Sequence, residues 1–261
     1  MLYKKKINWL LVLQGWAMLW VVIGHAFVGD LSDQINWPFW ERGLMGFAYS
    51  FHMPLFMLVS GWLFYYTRLK INESYSNRGG YKWTYLSIVK DKALRILLPG
   101  FVFSIIALAV KVVFPGDVAR QVGLSLHDIA WSYLYPFDNP FRELWFVAAL
   151  FWMFLLTPVW QWAIKKQWAK YGMLVVLLAL HFWHPEIMLF SLDRVFLLAI
   201  WFYMGIIISK EEMVVKFVEP YPWITLILGL IIYTMGFFTV AAFLKTLETV
   251  LILSNKSVKQ V

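Results

Sequence analysis

The stretch Ile7–Val28, INWLLVLQGWAMLWVVIGHAFV, decides the fold. It holds no Asp, Glu, Lys or Arg, and a helix needs about 20 apolar residues to cross about 30 Å of hydrocarbon. Lys4, Lys5 and Lys6 precede it, as in a secretory leader, but a leader's apolar region runs about 7–15 residues and ends at a small-x-small cleavage site. This stretch is longer and carries His25 near its end, so it reads as an uncleaved first spanning helix.

The same criterion finds further spans at Gly43–Tyr66, Leu94–Phe114, Leu144–Ile164, Trp168–Trp183, Phe190–Ile208 and Trp223–Leu244. Thr249–Leu253 is apolar but too short to cross. The expected fold is an all-α, polytopic transmembrane bundle of about seven spans plus a partial eighth. Its one long hydrophilic segment, Thr67–Asp91, is broken by Asn77, Gly79 and Gly80 and reads as a connector, so residues 1–261 form a single integral-membrane domain. No internal repeat is evident.

Composition agrees. The 261 residues are 61% apolar, 20% aromatic and 15% charged, against about 45–50% apolar and about 25% charged in a soluble globule. Disordered chains lack the apolar residues, and coiled coils need more charge. The absence of cysteine excludes disulfides, thiolate metal sites and a cysteine acyl carrier.

The net charge of +8 carries no nucleic-acid signature; its distribution is a topology signal. Lys4–Lys6, the connector with Arg68, Lys70, Arg78, Lys82, Lys90, Lys92 and Arg95, then Lys165, Lys166, Lys170, Lys210 and Lys216, all fall on the N-terminal side. The opposite loops hold Arg42, Arg120, Arg142 and Arg194 among many carboxylates. Positive loops stay in the cytoplasm, so the N-terminus is expected inside.

Polar groups within spans are costly and mark function. Gln14 and His25 lie about three helical turns apart, on one face and about 16 Å apart along the axis, with His25 close to the outer surface. The second span brings Ser50, His52 and Pro54, whose missing N–H frees a carbonyl near Ser50, and a Ser60-Gly61 pair that lets a neighbouring helix approach. Lys92 and Arg95 open the third span on one face, with Pro99 a turn later. Two cations beside free N–H groups suit an anion such as phosphate, although the positive-inside rule alone accounts for Lys90.

Outside, Trp131, Tyr133, Tyr135, Glu143 and Trp145 precede or enter the fourth span; such aromatics serve as an interfacial belt or as stacking faces for sugar rings. Asp193-Arg194 reads as a local ion pair. No phosphate-cradling glycine loop is present. His181, His184 and Glu186 lack metal-ligand geometry, and no metal is expected.

These residues resemble the acyltransferase family 3 membrane proteins, which include surface-polysaccharide O-acetyltransferases and fucose 4-O-acetylase-like proteins. Gln14 to His25 is similar to the family's opening segment, in which a basic residue stands where this chain has Gln14. Phe51-His-Met-Pro-Leu-Phe-Met-Leu-Val-Ser-Gly61 is similar to its second-helix signature. Lys92, Arg95 and Pro99 resemble its basic third-helix entrance, and Leu144-Trp-Phe-Val-Ala-Ala-Leu150 its fourth helix. The family has about ten spans, so the chain is expected to lack the last helices.

The resemblance implies acetyl-CoA (acyl-CoA) as donor substrate, with no permanently bound cofactor. Its phosphates would sit near Lys92 and Arg95, with Gln14 on its path and its thioester between the first three helices. The acceptor would be a hydroxyl of a cell-surface glycan or lipid-linked sugar. His25 would act as general base or transient acetyl carrier, and His52, Ser50, Glu143 and Trp145 would line the site. The setting would be the bacterial inner membrane, without nucleic acid as partner.

Two other readings compete. A transporter or flippase of a glycolipid or small polar solute would show interrupted helices in corresponding positions, which Pro54 and Pro99 do not occupy. A glycerolipid acyltransferase would match His25-Ala-Phe-Val-Gly-Asp30 in spacing, but the accompanying Phe-Pro-Glu-Gly segment is missing.

Overall fold

The computed structural model describes residues 8–26, 39–76, 83–114, 125–136, 144–183 and 185–213, with 216, 220, 221 and 224. No strand occurs among them. The chain divides into two compact units, Met1–Glu211 and Glu212–Val261; only isolated residues of the second are described. Everything below concerns the first.

The helices are α1 (Asn8–Ala26), α2 (Phe39–Phe64), α3 (Lys70–Ser76), α4 (Tyr85–Lys92), α5 (Leu98–Val113), α6 (Leu126–Leu134), α7 (Leu144–Leu155), α8 (Thr157–Ala163), α9 (Gln167–Trp183) and α10 (Leu192–Lys210). Among the described residues, three continuous segments, Gly46–Ser74, Tyr85–Val113 and Leu189–Lys210, are long and apolar enough to cross a membrane. The expected fourth span is broken: α7 and α8 meet at 52°. Pro158 is the cause, because its missing N–H releases the Phe154 carbonyl, which the Thr157 hydroxyl then satisfies. Val12–Gly24 of α1 is a shorter apolar segment, α9 coincides with the expected fifth span, and the expected seventh and the stub fall almost wholly outside the described residues.

The centre of the bundle is α2 against α10. A Cβ built on Gly61 would overlap the Phe202 carbonyl, and one built on Gly205 would overlap the Leu58 carbonyl. Each glycine therefore admits the other helix's backbone, the small-residue contact expected of Gly61. Around this seam, Phe64, Phe154, Phe202, Trp160 and Tyr203 pack edge to face, tilted or, for Trp160 on Tyr203, stacked, with centroids 5.1–6.1 Å apart. The Trp160 indole N–H donates to the Met153 carbonyl at 2.7 Å, so the ring brings no unpaired donor into the core.

Neighbouring pairs fix direction. Phe56 meets Phe146 and Phe64 meets Phe154, so α7 runs parallel to α2. Phe202 lies at Gly61 while Lys210 reaches Glu73, so α10 does too. The antiparallel partners are α1, with Gly24 beside Ala48 and Leu10 packed with Trp62, and α5, with Gly100 against Leu144 and Val147. On α5 Phe101, Val102, Phe103, Ile105 and Ile106 face outward, an apolar surface suited to lipid rather than water.

Candidate active site

One end of the bundle is basic. Two π-helical turns form there, Tyr65–Leu69 after α2 and Ala93–Leu97 between α4 and α5. In the second, Leu98 N–H reaches back to the Ala93 carbonyl, one residue before Pro99, whose ring nitrogen leaves the Arg95 carbonyl without its helical donor. Each turn carries an arginine, and both arginines bond Asp91: Arg68 Nη2 to Oδ2 at 2.7 Å and Arg95 Nε to Oδ1 at 2.7 Å.

Lys92 is next to Asp91 but points elsewhere, with Nζ 4.3 Å from the Phe154 ring centroid. Three cations thus surround one carboxylate. The Arg95 side chain is 74% exposed and is the one best placed to meet an outside anion. Behind it, the Arg68 guanidinium stacks 3.7 Å over Trp83, and Asn72 holds that residue's backbone from both sides, donating to its carbonyl at 2.7 Å and accepting from its N–H at 2.9 Å. The connector is therefore tied to the bundle at its start and at its end.

Asp91 holds this end together. The Arg68 side chain is only 13% exposed, so removing its partner strands a nearly buried cation. Asp91→Ala is expected to lower stability by about 3 kcal/mol, measured by thermal unfolding in detergent. A change no larger than that of Lys90→Ala would show the triad to be incidental.

The opposite end carries the histidines. His52 is buried, its Nδ1–H donates to the Ala48 carbonyl, and its ring meets Tyr49 edge-on at 5.2 Å. A Cβ built on Gly24 would meet the Ala48 and Tyr49 side chains at 3.6–3.8 Å, which puts the last turn of α1, where His25 sits, at the same level of α2. Trp20 packs on Phe47 and Phe51 just below. Helix α2 continues through Pro54. The His25 and Ser50 side chains and the whole of Glu143 lie outside the described residues. Gln14 is half-buried on α1, between the two ends.

Trp145 opens α7 at this same end, with the Arg194 guanidinium 5.6 Å from its ring, and Arg194 is ion-paired with Asp193 at 3.1 Å. The local pair expected from the sequence is present within α10, and Arg194 also reaches the Trp145 ring of α7. From His52 to Arg68 is about 24 Å along α2. The structure thus gathers Lys92 and Arg95 with Arg68 and Asp91 at one end, and His52 and Trp145 with the last turn of α1 at the other.

Arg68 and Asp91 were the omissions of the sequence reading; their only advance signal was an acid among many bases in the connector. His181 Nδ1 bonds the Leu197 carbonyl at 2.7 Å, tying α9 to α10. Among the described residues no three His, Asp or Glu side chains converge on a metal position. A family model described as an acyltransferase domain matches residues 7–255. No curated protein and no solved structure gives a match.

Proposed function

This chain belongs to the acyltransferase family 3, and from that membership we propose that it is a membrane O-acyltransferase that moves an acetyl group from cytoplasmic acetyl-CoA to a hydroxyl of a cell-surface glycan or glycolipid. In this reading the chain is one integral-membrane domain of about seven spans in the bacterial inner membrane, with the N-terminus and the Arg68/Lys92/Arg95 end inside. The observation that carries it is the division of labour along α2. A net cationic cluster lies at one end, and a histidine pair on adjoining helices lies about 24 Å away, most of the thickness of a bilayer core of about 30 Å.

The chemistry follows from that separation. Arg95 and Lys92 hold the donor's phosphates, with Arg68 behind them, and the flexible arm of acetyl-CoA runs past Gln14 towards the far end. There a neutral histidine accepts the acceptor hydroxyl's proton as its oxygen bonds the acetyl carbonyl carbon. The carbon–sulfur bond breaks and the coenzyme A thiolate leaves, taking up the proton. His25 serves as that base or carries the acetyl group between the two steps, the second route being open because the chain has no cysteine to do so. His52, Ser50, Glu143 and Trp145 line the space around it.

The test is donor binding. Lys92→Ala combined with Arg95→Ala is expected to weaken acetyl-CoA binding in detergent by about tenfold or more, the worth of one lost charge-assisted contact. Lys90→Ala removes the same kind of charge from the last turn of α4 and is expected to change little. Equal losses would mean that these cations set topology alone.

A further inference from the structure

The turn that leads into α10 is built against the habits of its residues. Phe190 has φ 47° and Ser191 φ 58°, two successive side-chain-bearing residues in the left-handed region where glycine is at home. Trp152 helps to hold the turn, its indole N–H donating to the Phe190 carbonyl at 3.1 Å.

Ser191 stands at the N-cap of α10, where serine normally accepts a bond from the first helical turn, yet it makes no such bond. Its side chain is completely buried and Oγ has no hydrogen-bond partner among the described residues. Two residues on, Asp193 Oδ2 is ion-paired with Arg194, while its Oδ1 is buried and also unpartnered among the described residues. A buried hydroxyl and a buried carboxylate oxygen left open are costly for a helix end that needs neither.

Phe190, the residue before Ser191, also lines an apolar slot of about 180 Å³, with Leu97, Phe101, Tyr133, Leu144 and Val147 among others. Tyr133 brings the polar group of that wall, and its hydroxyl is already given to Ser104 at 3.0 Å. The two features share a boundary: Phe190 precedes Ser191, and Leu144 precedes Trp145, whose ring flanks Arg194.

We propose that this turn is a binding subsite for an amphiphilic, hydroxyl-bearing acceptor, an alkyl-linked sugar, whose ring hydroxyls bond Ser191 Oγ and Asp193 Oδ1 beside Trp145 while its alkyl chain fills the slot. The identification of the ligand as acceptor rests on the acyltransferase reading; the subsite itself does not. A carboxylate oxygen takes a sugar O–H, a hydroxyl can give or take one, and the indole face suits the C–H side of a pyranose. The subsite lies at the His52 end of the bundle, where the chemistry is placed. Phe190 lines the slot and precedes the buried Ser191, so in this proposal its ring turns aside to admit the sugar.

The probe is octyl glucoside carrying a photoreactive diazirine in its tail, irradiated with the full-length protein in vesicles and without acyl donor. Label is expected on the α5 and α7 segments that line the slot, competed by plain octyl glucoside and not by octanol. Ser191→Gly and Asp193→Asn are each expected to cut labelling about tenfold. Ser191→Gly is the decisive variant, since glycine suits φ 58° and keeps or raises thermal stability while removing the hydroxyl. Ala148→Phe, which fills the slot, is expected to abolish tail labelling. Unchanged labelling in Ser191→Gly and Asp193→Asn, or equal competition by octanol, would overturn the subsite. Intact labelling in a protein that transfers no acetyl group would overturn the acyltransferase chemistry and leave the subsite standing.

Discussion

His25→Ala is expected to bring acetyl transfer to the acceptor down by about 10³-fold, the middle of what a positioned acid or base contributes. Membrane insertion and acetyl-CoA binding should stay as they were, because the cations proposed to hold the donor cluster with Arg68, about 24 Å along α2 from the level of His52. The size of the loss follows from the chemistry left behind. A sugar hydroxyl that keeps its proton is a poor nucleophile, and no cysteine can form an acyl intermediate instead. His52→Ala should cost less in rate and more in stability, since its ring is buried and bonded to the Ala48 carbonyl. Labelled acetyl-CoA given to the unaltered protein in vesicles without acceptor separates the two roles of His25: a carrier releases coenzyme A and keeps the label, and a base does neither. Retained transfer in His25→Ala would remove the residue from the reaction altogether.

Much of this arrangement could be read from the residues. Apolar runs located every described helix of spanning size, because in lipid hydropathy and length are the dominant constraint. Gly61 was legible as a contact point, and Lys92 and Arg95 as a cationic pair. Their partners were not. Arg68 and Asp91 lie 23 positions apart, one in the π-helical turn after α2 and the other in the last turn of α4, and meet only when the two elements are packed together. Lys170 read as one more inside charge, yet its side chain is 6% exposed and paired with Glu211 at 2.8 Å, locking α9 to α10. The turn at Phe190–Ser191 gave no warning at all, since left-handed backbone is announced by glycine or asparagine and neither is there. Charge runs and hydropathy report where a segment lives; pairings across helices depend on register, which no single segment carries.

Gly61→Val is expected to destabilise the bundle by about 3 kcal/mol, the upper part of the range for overpacking. Water outside a soluble core drives helices together, but lipid does not, so α2 and α10 are held by the closeness of their backbones. A Cβ at Gly61 would fall on the Phe202 carbonyl, and at Gly205 on Leu58's, in both cases on main chain that cannot rotate away. Either substitution forces the whole seam apart and loosens Phe64, Phe154, Phe202 and Tyr203 with it. Gly61→Val and Gly205→Val break one contact from two sides, so the double variant should lose much less than the sum of the singles. Gly172 and Gly15 provide the opposite sign: both are helical with open space around a built Cβ, and alanine there should gain about 0.5–1 kcal/mol. Thermal unfolding in detergent, followed by tryptophan fluorescence, measures all five proteins. Additive losses at Gly61 and Gly205, or a Gly61→Val protein as stable as Gly15→Ala, would mean that α2 and α10 do not meet backbone to backbone.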